Sequence, residues 1–137
     1  MDEVLLGKAD IIERCLQRIE TVYIGSENEL ETNYIKQDSI ILNIQRMCEA
    51  SIGAAMHIVR CHKLGIPRDS RQAFTMLVNA KLIDKQLGEY LEAMVGFRNV
   101  AVHNYTEINM EVVRGILNEH MDDMKAFSRL LIKQSLP

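Results

Sequence analysis

The segment Phe97-Arg98-Asn99-Val100-Ala101-Val102-His103-Asn104-Tyr105 concentrates a guanidinium, an imidazole, a phenol and two amides within nine residues. Arginine is always cationic and presents a fork of donors that matches a phosphate. Histidine, with an ordinary pKa of about 6.5, trades protons near neutrality. Together they are the minimum needed to break a phosphodiester without a metal. Attack by a 2′-hydroxyl requires a proton acceptor, a proton donor for the leaving oxygen and stabilisation of the extra negative charge. At about 100° per residue, Arg98 and Tyr105 share one helix face, and Asn99 and His103 share a neighbouring one. A helix that continued to Tyr105 would line one groove with all four. The same residue types also suit a plainer task, capping a helix end with a half-buried tyrosine beside it.

Other clusters carry less. Glu49 lies on a face of small residues, where it can enter a cleft, pair with Arg46 or simply be solvated on the helix surface. Asn104 adjoins the histidine as a further polar neighbour of the same site. Cys48, His57, Cys61 and His62 show neither CxxC nor HxxxH spacing, so no metal site is expected. Arg60, Lys63, Arg68 and Arg71 form a local basic cluster that suits RNA or an acidic partner, or an ordinary solvated surface. Glu119, Asp122 and Asp123 read as a solvated face, and the eight methionines as core filler.

These residues must be positioned by helices. Leu5, Ile12, Leu16, Ile19 and Tyr23 recur at helical spacing, and the first helix ends near Ile24-Gly25-Ser26. A second spans about Leu30 to His62. At 1.5 Å per residue it would be roughly 50 Å long, so either a separate first turn near Glu29 to Asn33 or a projection towards a second subunit is expected. Its small-residue run Ala50-Ser51-Ile52-Gly53-Ala54-Ala55 invites the close approach of another helix. Leu64-Gly65-Ile66-Pro67 stops it. Asp69 or Ser70 then caps a short helix to about Asn79, Asp84 caps a fourth, and a fifth runs from near Asn109 through Leu131. The result is one all-α domain over residues 1–137, an antiparallel bundle of about five helices.

Composition agrees. The 137 residues are 47% apolar with 5% aromatics, 7 Gly and 2 Pro, which argues against turn-rich β architectures and against disorder. Three cysteines, an odd number, fit a reducing cytoplasm better than a disulfide framework. The acidic start Met1-Asp2-Glu3 is unlike a signal peptide, and no apolar run reaches the ~20 residues of a membrane span. A net charge of −3 excludes broad non-specific phosphate gripping, so any contact with nucleic acid must be local.

Arg98, four residues, His103, one residue, Tyr105 resembles the signature of HepT-like proteins, a bacterial branch of the HEPN superfamily. Gln37-Asp38-Ser39, Asn43, Gln45-Arg46 and Glu49-Ala50 look like the family's polar stripe, and Leu64-Gly65-Ile66-Pro67 and Met94-Val95-Gly96-Phe97-Arg98-Asn99 like its later landmarks. The resemblance implies a homodimeric, metal-independent endoribonuclease, the toxin of a toxin–antitoxin pair, with two motif copies across a cleft. Carried over, Arg98 would bind the scissile phosphate, His103 would act as general acid or base, and Asn99 would orient either one. Tyr105 would receive AMP from a nucleotidyltransferase antitoxin. That partner would bring the ATP and magnesium, since this chain has no Gly-rich phosphate loop or paired-aspartate motif and so no cofactor of its own. A different class stays open: a non-catalytic, substrate-presenting subunit of a two-component nucleotidyltransferase, favoured by the scarcity of aromatic rings on which single strands usually stack.

Overall fold

A computed structural model describes all 137 residues. Its helices begin where polar caps stand. α1 (Glu3–Tyr23) starts after Asp2, α2 (Tyr34–Cys61) after Asn33, α3 (Ser70–Asn79) after Asp69 and α4 (Lys85–His103) after Asp84. The backbone N–H groups of Gln72 and Leu87 donate to Asp69 and Asp84 at 2.8 and 2.7 Å. Each such bond satisfies a donor that the first turn leaves without an intrahelical partner. α5 starts after Asn109 as Met110–Gly115, passes through a π turn at Ile116–His120 and continues as Met121–Ser135.

The expected second helix is shorter than its apolar pattern. Glu27–Glu29 forms a separate 3₁₀ turn, and α2 begins only at Tyr34 because Asn33 holds an extended backbone and accepts from the Lys36 N–H at 3.2 Å. The separate first turn is therefore the correct alternative.

Long-range bonds fix an antiparallel order. Asp2 reaches His57 near the end of α2, so α1 and α2 run oppositely. The Asp2 N–H donates to the Ser135 carbonyl at 2.8 Å and the Tyr23 hydroxyl to Asn118 at 2.8 Å, so α1 and α5 do too. The Cys48 thiol donates to the Met94 carbonyl at 3.2 Å, and Tyr105 meets Asp38, which sets α4 against α2 in the same sense. Ile12, Ile19, Ile44, Met47, Phe74, Leu77, Leu91 and Phe127 are almost fully buried between these helices. Phe74 and Phe127 meet edge to face with centroids 6.4 Å apart.

The small run of α2 packs on α1, so the helix it admits belongs to the same chain; a Cβ at Gly53 would meet only the flexible end of Lys8, which can move aside. One contact does need glycine. At Gly88 a Cβ would lie 2.3 Å from Val78 Cγ2, so α3 and α4 cross closer than any side chain allows. No helix is long and apolar enough to cross a membrane.

Candidate active site

α4 carries the motif on its last two turns. Arg98 is half-buried, whereas Asn99, His103 and Asn104 are exposed. The helix ends at His103. Asn104 leaves helical geometry at φ −143° and ψ 55°, though its N–H still donates to the Val100 carbonyl at 2.8 Å. The arrangement expected if the helix reached Tyr105 is therefore absent. Tyr105 instead opens a 3₁₀ turn, Tyr105–Glu107, and its hydroxyl donates to the Asp38 carboxylate on α2. Partial burial, and then that carboxylate, push the phenol up to about 12. It is a neutral hydroxyl held at an exposed rim.

Arg98 faces inward. Its Nε is buried without a hydrogen-bond partner, and its charge opposes the burial that pushes the neighbouring Cys48 thiol up to about 12. Cys48 is thus a protonated core donor, not a nucleophile. An unpaired buried donor is destabilising by roughly 1–3 kcal/mol. Asn43 Oδ1 and Tyr90 Oη are likewise buried without partners. Asn43 does use its amide, donating to the Ser39 carbonyl at 2.8 Å.

Asn99 and His103 lie one turn apart on the outer face, and Gly96 extends that stripe by another turn. A guanidinium already sits on it: Arg71, from α3, places Nη2 where a Cβ on Gly96 would be 3.0 Å away. The basic cluster seen in the sequence therefore divides. Arg71 joins the Asn99–His103 face, while Arg60 and Lys63 line an apolar groove with Met56, Ile66 and Pro67 at the opposite end of α2.

Other candidates fall elsewhere. Glu49 is exposed and accepts from Gln45 Nε2 at 3.2 Å, so its pairing with Arg46 is replaced by a bond to Gln45. Arg46 lies towards α1, near enough to Cys15 for its charge to be felt there. Asp123 is not free solvated charge but meets His120 Nδ1 at 2.9 Å, while His120 stacks on Tyr90 at 4.5 Å. Sequence spacing missed Asp38 as the partner of Tyr105, since 67 positions separate them; its place in the polar stripe of α2 was the only signal. It also set aside His57 and Cys61, and missed Asp2, whose ligand atom converges with theirs.

Residues 12–131 match the family described as ribonuclease HepT-like. The chain belongs to that family. A curated relative, the mRNA nuclease HepT of Shewanella oneidensis, is 42% identical over 127 residues, covering 93% of this chain and 95% of the relative. Among solved structures, a toxin–antitoxin complex with AMP-PNP superposes with a TM-score of 0.91 at 39% identity, covering 96% of this chain and 99% of its own. A tri-AMPylated Shewanella oneidensis HEPN toxin in complex with its MNT antitoxin gives 0.90 at 41% identity, with 97% and 99% covered. The all-α HEPN bundle and the endoribonuclease, toxin-type reading drawn from the sequence agree with these HepT-like relatives.

Proposed function

We propose that this chain is a cytoplasmic toxin that cleaves RNA in a cleft between two copies of α4, and that AMP on Tyr105 silences it. The observation that carries the reading is Arg98, half-buried with its Nε enclosed and unpaired, beside an exposed Asn99–His103 stripe. Arg98 and His103 lie about 140° apart around the helix axis, so one copy offers its cation and its imidazole in different directions. Two copies related by a two-fold axis supply what one lacks. Exposed Val100, Val102, Tyr34, Ile35 and Leu42 flank the motif and give the second copy apolar surface to cover.

In this scheme one His103 takes the proton of a ribose 2′-hydroxyl as its oxygen attacks the adjacent phosphorus. The other His103 protonates the departing 5′-oxygen, leaving a cyclic phosphate. Arg98, with Asn99, neutralises charge on the phosphoryl oxygens. Asn104 ends the helix so that the imidazole stands clear. For silencing, the Tyr105 oxygen attacks the α-phosphorus of ATP held by the nucleotidyltransferase, pyrophosphate leaves and the phenolic proton passes to Asp38. Each AMP places a bulky anion where RNA phosphates would bind.

His103 is exposed, so His103→Ala should fold normally by circular dichroism. It should lose at least about 100-fold in cleavage of single-stranded RNA, the lower range for an acid–base residue. Equal cleavage by the variant overturns the nuclease assignment of His103. Growth inhibition that survives the substitution points instead to a binding subunit.

A further inference from the structure

Three side chains unused by this chemistry meet at the far end of α2. Asp2 commits one carboxylate oxygen to capping α1: its Oδ1 accepts from the N–H groups of Val4 and Leu5 at 3.0 and 3.2 Å. The other oxygen, Oδ2, lies 2.7 Å from His57 Nε2. Cys61 Sγ lies 3.4 Å from that same nitrogen, and the three ligand atoms are all within 4.8 Å of one another. We propose that Asp2, His57 and Cys61 form a zinc-type transition-metal site, with water as its fourth ligand.

The donor set and its geometry favour this reading. His57 and Cys61 are four residues apart on α2, so a regular helix points both towards the same place. Asp2 adds a carboxylate oxygen that the cap of α1 does not use and that already faces His57. Imidazole and thiolate select zinc-like ions over magnesium or calcium. Tetrahedral zinc, with bonds of about 2.0–2.1 Å to N and O and 2.3 Å to S, sets its ligand atoms roughly 3.3–3.8 Å apart. The carboxylate and imidazole need to open by about half an ångström, which small rotations of two side chains supply. An ion pair between Asp2 and His57 alone would require no thiol aimed at the shared nitrogen. Cys61 is also the one exposed thiol of three. On binding, it and the imidazole present lone pairs to the metal and release any proton they hold to solvent.

The position makes the site a clip. Asp2 also donates its backbone N–H to Ser135, so the ion would tie together the start of α1, the end of α2 and the end of α5. His57 is 19 residues beyond Asp38, roughly 28 Å along α2, so the clip and the RNA-cleaving end are separate.

The test uses the reduced full-length chain, freed of metal with a chelator and titrated with cobalt(II), then zinc. One equivalent of cobalt should bring up a thiolate-to-metal charge-transfer band with tetrahedral visible absorption, and zinc should bleach both. Cys15 and Cys48 are buried, so the thiolate band reports Cys61. Cys61→Ser should abolish that band, and His57→Ala should weaken binding at least about tenfold. His62→Ala, beside the site, should change neither. Zinc should also raise the wild-type melting temperature and slow alkylation of Cys61. No sulfur-to-cobalt band at one equivalent, a band that survives in Cys61→Ser, or loss of binding through His62 in place of His57 would each overturn the proposal. None of these readouts depends on RNA cleavage.

Discussion

Asp38→Asn is a sharp test, because the two ways of activating Tyr105 predict opposite signs. The wild-type phenol sits at about 12, held there first by partial burial and then by the carboxylate beside it. Near pH 7 only about one phenol in 10⁵ is ionised. If attack on ATP drew on that preformed phenolate, removing the carboxylate would let the phenol fall towards its ordinary value of 10, raising the phenolate pool by at most about 100-fold. The true gain would be smaller, since burial remains and the ring is 42% exposed to screening water. If Asp38 takes the proton while the bond to phosphorus forms, its loss should slow transfer by about 10²–10⁴. We expect the slowing. The assay mixes wild-type or variant toxin with its nucleotidyltransferase, ATP and magnesium, and follows the AMP mass increment over time, with Tyr105→Phe as the blank. The wild-type rate should stay level as the pH is raised from neutrality, because the base is already in contact; a phenolate route would climb tenfold per unit. A faster Asp38→Asn reaction, or a wild-type rate that climbs in this way, refutes Asp38 as the proton acceptor.

Two further expectations concern the faces around α4. Arg71→Ala should raise the KM for a single-stranded RNA several-fold while leaving kcat within about twofold, since Arg71 touches the stripe beside Asn99 but lies a turn or more from His103; a loss confined to kcat would contradict it. Gly88→Ala should destabilise the fold by about 1 kcal/mol, because an overlap worth roughly 1–3 kcal/mol outweighs a helix-propensity gain of up to about 1 kcal/mol. Thermal melting should show a drop of about 2–4 °C. Adding Val78→Ala, which removes the methyl in the way, should recover part of the loss.

What could be read in the sequence was local. Asp69 and Asp84 cap helices as expected because a cap acts over three residues, and the small run of α2 packs on a helix because the need for close approach is written in its side chains. The motif was found on α4 for the same reason. Its geometry was not. Whether the helix outlasts His103 depends on Asn104, whose backbone can go either way, and the departure there carries Tyr105 to Asp38. Pairs such as Asp38 with Tyr105 or Asp2 with His57 exist only once α2 is folded back on its neighbours, and no spacing rule reaches that far. For Glu49 the pairing with Arg46 gives way to Gln45 because the two occupy adjacent positions of the same helix, and spacing alone does not decide which of them reaches it.

The π turn of α5 also bears on which changes in chain length the molecule tolerates. Each helical residue advances the side chains by about 100°, so the wide turn at Ile116–His120 works as a phase adjuster between two otherwise regular stretches. Upstream, Val113 is registered for burial; downstream, Met124, Phe127 and Leu131 are. Deleting one residue of the turn would return the rod to a uniform spiral with both stretches still in phase, because the wide turn already absorbs one residue more than a regular helix needs; inserting a further residue would swing one stretch by about 100° and strand either the Val113 flank or the phenylalanine that locks against Phe74. A one-codon loss there therefore leaves that alignment intact, whereas a one-codon gain does not.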